Sequence, residues 1–147
     1  MRPILPDLSA PVPSSLAGAT LQMLDARVPA GFPSAAEDHM VRRCDLMDLL
    51  GAHPQSTFFM RVRGDSMTGA GIHDNDIISV DRALEPRHGS IVVAIVDSEF
   101  TCKRLSLRGG RAHLVAAHPA YPDIHPGEGQ ALEVWGVVTA ALTLFPC

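Results

Sequence analysis

From Thr57 onward the chain is a succession of short runs rich in apolar and β-branched residues, each closed by a turn signal. This punctuation restricts the fold more than any other feature. The runs Thr57–Arg63, Ile77–Asp81, Ser90–Val96, Glu99–Leu107, Ala112–Ala116 and Ala131–Leu144 suit strands. Between them stand Asp74-Asn75-Asp76, Arg87-His88-Gly89, Asp97-Ser98, Gly109-Gly110 and Pro126-Gly127, residues that accept the tight or left-handed backbone of turns. Many short strands joined by small turns predict a mostly β fold, a largely antiparallel sheet or barrel-like arrangement. Asp97-Ser98 leaves only two residues between neighbouring runs and predicts a tight hairpin. Asp45–Leu50 reads as a short helix that Asp45 caps and Gly51 stops. No internal repeat is evident.

Upstream the texture changes. Residues 1–33 hold Pro3, Pro6, Pro11, Pro13, Pro29 and Pro33, and proline both fixes φ and removes a donor. An extended, poorly packed N-terminal arm is expected, with a short helix capped by Ser14 or Ser15 and running through Leu16, Leu21 and Leu24. There is no room in it for a helix-turn-helix, which needs two packed helices. The 147 residues suit one domain. No apolar run approaches the ~20 residues of a membrane helix. Prolines interrupt any signal-peptide core, so a cytoplasmic protein is expected. A formal charge of -4 opposes broad phosphate binding. Cys44, Cys102 and Cys147 form no CxxC and are expected to be reduced.

Of the twelve basic residues, eleven are Arg and one is Lys, at position 103. Arg replaces Lys at most exposed positions but not where a neutral amine is needed, because guanidinium does not deprotonate in proteins. A lone Lys in an Arg-rich chain is therefore a candidate base, or a residue kept by chance. Strand alternation places Thr101, Lys103, Leu105 and Leu107 on one face. Burial there lowers an amine's pKa, and Thr101 is suited to orient it. The bland alternative is an edge-strand Lys reaching out to water. Ser66, in Gly64-Asp65-Ser66-Met67, follows an apolar strand at a glycine turn. Alone it is an ordinary turn serine; with a base beside it, and with backbone N–H groups facing the same space, it is a nucleophile with an oxyanion site.

These pieces occur together in one register. GFPSAAEDH (Gly31–His39), FFMRVRGDSM (Phe58–Met67), GIHDNDIISVD (Gly71–Asp81), HGSIVVAIVDSEFTCKRL (His88–Leu105) and EVWGVV (Glu133–Val138) resemble the LexA/UmuD-type Ser–Lys peptidases. Ser66 and Lys103 lie 37 positions apart, a spacing that suits that family. The resemblance implies self-cleavage between a small residue and glycine upstream of the catalytic domain, and Ala30-Gly31 stands in that position. It divides the chain into an arm, 1–30, and a peptidase domain, 31–147. It implies Ser66 as nucleophile, Lys103 as base, and the backbone N–H groups of Asp65 and Ser66 as the oxyanion site. It further implies an SOS DNA-damage role, a homodimer, a RecA filament on single-stranded DNA as stimulus, and a Y-family (UmuC-type) translesion polymerase as partner. No cofactor, metal, membrane or sequence-specific DNA contact is implied. The Pro-rich arm fits this reading better than a LexA-like or phage-type repressor.

Other chemistries fit less well. Thr68 stands where GxSxG requires its second glycine. His39, His53, His73, His88, His113, His118 and His125 show no diagnostic triad spacing, and neither HExxH nor paired Cys is present. Signal peptidases also use Ser–Lys chemistry but are membrane-anchored. A polymerase-binding module that no longer cleaves is the non-enzymatic alternative.

Overall fold

The computed structural model describes residues 12–13, 20–24, 27–33, 40–127 and 131–147. Among them the strands are β1 (Val12–Pro13), β2 (Thr20–Leu24), β3 (Val41–Asp45), β4 (Thr57–Arg61), β5 (Ile77–Asp81), β6 (Ile91–Val96), β7 (Glu99–Arg108), β8 (Arg111–Val115) and β9 (Leu132–Leu142). A short helix, α1 (Leu46–Leu49), follows β3, and its cap is the one expected. The Asp45 carboxylate accepts from the Met47 and Asp48 amides, and Gly51 leaves the helix at φ +62°. No helix among the described residues is long and apolar enough to cross a membrane.

All pairings are antiparallel, in the order β1-β4-β5-β9-β6-β7-β8, with β2 and β3 forming a separate pair. The mostly β expectation and all six strands read from Thr57 onward are present, with no end moved by more than two residues. Asp97 and Ser98 both take positive φ, 49° and 68°, the geometry that lets a two-residue turn follow the strands' twist. Central β6 alternates between two packed sides. Val93 joins Met60, Val62, Met67, Ile72, Ile78 and Val80, while Val92 and Ala94 join Leu105 and Leu114.

Two features curl the sheet. β9 carries an extra residue against β5 at Thr139 and against β6 at Trp135, and such bulges bend a strand. Between those bulges Gly136 lets β5 approach closely; a Cβ there would lie 2.6 Å from Val80 Cγ1. The buried Asp76 carboxylate accepts from the His73 amide and the Thr143 hydroxyl, tying the turn before β5 to the chain after β9.

The expected helix through Leu16, Leu21 and Leu24 is corrected in part. Leu21 and Leu24 lie in β2, paired with Cys44 and Val41, while Ser14, Ser15 and Leu16 lie outside the described residues. A facing strand satisfies the 20–24 backbone groups at once, a tertiary gain that outweighs weak local helix propensity. Strands β1, β2 and β3 have no counterpart in the sequence reading. Cys44, Cys102 and Cys147 are all unpaired.

Candidate active site

Ser66 sits in a loop that is anchored on all sides. Gly64, at φ +93°, turns the chain after β4, and its amide donates to the Asp74 carboxylate at 2.7 Å. Met67, 2% exposed, plugs the loop into the core, and a single 3-10 turn (Thr68–Ala70) closes it. The Ala117 amide donates to the Ser66 carbonyl and the Gly69 amide donates to the Ala117 carbonyl, both at 2.8 Å. These two bonds bring the segment after β8 onto the loop after β4, although the two strands lie far apart in the strand order.

Lys103 comes from β7, opposite Val92 of β6, and is 9% exposed. Its Nζ lies 2.8 Å from Ser66 Oγ, 3.1 Å from Thr101 Oγ1 and 3.2 Å from the Cys102 carbonyl oxygen. This cradle serves both protonation states. A protonated amine donates one N–H to each oxygen. A neutral amine has two N–H groups and a lone pair. The Cys102 carbonyl can only accept, so it takes one N–H; Thr101 takes the other; and the lone pair faces the Ser66 hydroxyl. Burial pushes Lys103 below the ordinary lysine value, toward the neutral amine. A Cys102 thiolate would oppose this shift. Burial pushes that thiol up to about 11, however, so near neutrality it stays protonated and uncharged.

The pair opens into a cleft of about 310 Å³ whose walls include Met60, Val62 and Phe100 beside Ser66, Thr101 and Lys103. Among the described residues nothing accepts from the Asp65 or Ser66 amides. No described histidine bonds to Ser66; His53 is paired with Asp81 at 2.6 Å, away from the cleft. Ala30 and Gly31 lie outside the cleft on exposed chain, and their neighbours Val28 and Phe32 are 90% and 92% exposed. Thus the structure brings Ser66, Lys103 and Thr101 together, while Ala30 and Gly31, the pair expected to be cut, stand apart from them. The Cys102 carbonyl and the Ala117 clamp were not foreseen. Both act through backbone atoms, which leave no mark on residue identity.

Comparison with known proteins points the same way. The Peptidase S24-like family matches residues 22–139. Protein SamA of Salmonella typhimurium (strain LT2) is 45% identical over 121 residues, 82% of this chain and 84% of that protein. Protein MucA of Escherichia coli is 42% identical over 121 residues, 82% of each chain. The LexA repressor of Ectopseudomonas mendocina is 39% identical over 98 residues, 67% of this chain and 48% of the repressor. A match of this extent, over a chain that holds an amine against a serine hydroxyl, decides the matter: the chain belongs to the Peptidase S24-like family of self-cleaving Ser–Lys serine peptidases.

Proposed function

We propose that the protein cuts its own chain at Ala30-Gly31, releasing residues 1–30, with Ser66 as nucleophile and Lys103 as general base. The observation that carries this reading is the buried Nζ 2.8 Å from Ser66 Oγ, an arrangement that costs solvation. Neutral Lys103 takes the hydroxyl proton as Ser66 Oγ bonds to the Ala30 carbonyl carbon. The unpartnered amides of Asp65 and Ser66 are suited to hold the resulting oxyanion. Collapse breaks the Ala30–Gly31 C–N bond, and Lys103 returns the proton to the Gly31 amine. Water then hydrolyses the Ser66 ester, with the same amine as base.

The biological setting rests on family likeness. It comprises cleavage within the SOS response stimulated by a RecA filament on single-stranded DNA, a homodimer before and after processing, and service to a Y-family translesion polymerase once the arm is lost. The test is the intact mass of the purified protein with and without activated RecA. Loss of the mass of residues 1–30 is expected, faster with RecA. An unchanged mass refutes cleavage, and a different fragment refutes the assigned bond.

A further inference from the structure

The chain is acidic as a whole, but its charge is unevenly placed. Between Phe100 and Gly127 stand Lys103, Arg104, Arg108 and Arg111 against one carboxylate, Asp123. That net of +3 leaves -7 for the rest of a chain whose total is -4. Lys103 is committed to the cleft and Arg104 donates to the Gly89 carbonyl. Arg108 and Arg111 remain. They are direct cross-strand partners at the end of the β7–β8 hairpin, beside Gly109-Gly110. Like charges placed opposite each other destabilise a strand pair. Neither guanidinium has an ion pair or side-chain hydrogen bond among the described residues. On the same strand face as Arg111, His113 stacks on His125, with ring centroids 4.7 Å apart and planes 19° from parallel. Arg108, Arg111, His113 and His125 all line one cavity of about 700 Å³. Glu128, next after Gly127, lies outside the described residues.

We propose that this cavity is an anion site that takes phosphate groups, separate from the peptidase cleft. Two guanidinium forks held side by side match the bidentate geometry of phosphate oxygens, and a bound anion relieves their mutual repulsion. Each imidazole adds a ring N–H donor, and the stacked pair offers a flat face of the kind on which nucleic-acid bases stack. The phosphate belongs to a nucleic-acid strand or is free in solution, and the experiment distinguishes these sources.

The test uses the full chain and a labelled oligothymidylate at low salt, read by fluorescence anisotropy, with inorganic phosphate and oligoglutamate as competitors. Arg108→Gln/Arg111→Gln keeps the length of both exposed side chains and removes both charges. It is expected to weaken oligonucleotide binding about tenfold and to lower the log–log salt slope by about 1.4, at ~0.7 per phosphate contact on a single strand. Arg42→Gln/Arg43→Gln removes the same charge from exposed β3 and is expected to change neither value. Self-cleavage is expected to be unchanged in both variants, so failure of this proposal and failure of the peptidase assignment read out separately. Should inorganic phosphate bind with the same dependence on Arg108 and Arg111 while the oligonucleotide binds no more tightly, the site holds and its ligand is free phosphate. No binding by either probe overturns the proposal. So does equal weakening by the two double variants, or displacement by oligoglutamate as effective as by phosphate.

Discussion

The clamp between the nucleophile loop and Ala117 makes Gly69 a decisive position. A Cβ at Gly69 would lie 2.6 Å from the Ala117 carbonyl oxygen, against the 3.4 Å at which ordinary contact begins. Gly69→Ala must therefore open the gap by about 0.8 Å, and backbone forms both walls. Motion along the same line would lengthen the Gly69–Ala117 hydrogen bond from 2.8 Å to about 3.6 Å, beyond useful range. The loss of one such bond, ~1 kcal/mol, together with overpacking sets the expected cost at about 1–3 kcal/mol. The catalytic effect should be larger than that loss suggests. Ser66, the proposed nucleophile, hangs on the same Ala117 through its carbonyl, so the displacement reaches it, and a misplacement of ~1 Å costs about 100-fold in rate. Arm loss should slow by roughly 10- to 100-fold under conditions where the variant is fully folded. The assay is the first-order rate of arm loss by gel or mass, beside urea unfolding. A destabilised variant that cleaves at the wild-type rate would show that the clamp holds the fold and not the nucleophile.

Ser66→Ala should fold within about 0.5 kcal/mol of wild type and never shed its arm, even with RecA filaments; cleavage at a normal rate removes Ser66 from the mechanism. Gly31→Glu should leave the domain folded and block processing, because it adds a Cβ and a charge where the backbone must bend into the cleft; fragment masses would reveal persistence at the same bond. The wild-type cleavage rate should rise with pH as Lys103 loses its proton, levelling off below the ordinary value of 10.5, while Lys103→Arg stays inactive from pH 6 to 10. For stability, the folded pKa lies below the unfolded one, so between the two values the unfolded chain binds more protons. Stability should therefore increase with pH in that window, by at most ~1.4 kcal/mol per unit, and Lys103→Met should abolish the increment. Equal pH slopes for wild type and Lys103→Met in urea unfolding would contradict a depressed amine.

What was legible in the residues follows from how local the causes are. β5 was readable to the residue because Ile77, Ile78 and Val80 give a β-branched run directly after the turn residues Asp74-Asn75-Asp76. The Asp97-Ser98 turn and the Asp45 cap were readable because their hydrogen bonds and dihedrals are settled within a few positions. The meeting of Ser66 and Lys103 was readable through the family resemblance; the residues alone left a turn serine and a stray lysine as open alternatives. β2 and β3 were not readable. Thr20–Leu24 and Val41–Asp45 are exposed almost throughout, so neither carries the alternation that a buried face imposes, and each exists because the other does. The hold of Ala117 on Ser66 was invisible for a related reason: a carbonyl and an amide can belong to any residue.

The placement of the pair also says where control can act. Ser66 follows β4 and Lys103 lies on β7, and between those strands the sheet order inserts β5, β9 and β6. No local segment brings the two together; their meeting depends on the pairings made through β5, β9 and β6. Once assembled it needs little rearrangement, because the same oxygens of Ser66, Thr101 and Cys102 accommodate Lys103 with or without its extra proton. On the proposed mechanism the pair is already in place in the folded domain, and what remains is delivery of the Ala30-Gly31 bond. Ala30-Gly31 stands in solvent, while β1 pairs with β4 and β2 pairs with β3, holding chain on the upstream side of that bond against the domain. The proposed cleavage requires residues 27–33 to leave solvent and enter a cleft that holds Ser66. If the proposed cleavage is right, a stimulus that speeds it has one economical place to act, the delivery of residues 27–33 to the cleft, with Ser66 and Lys103 left as they stand.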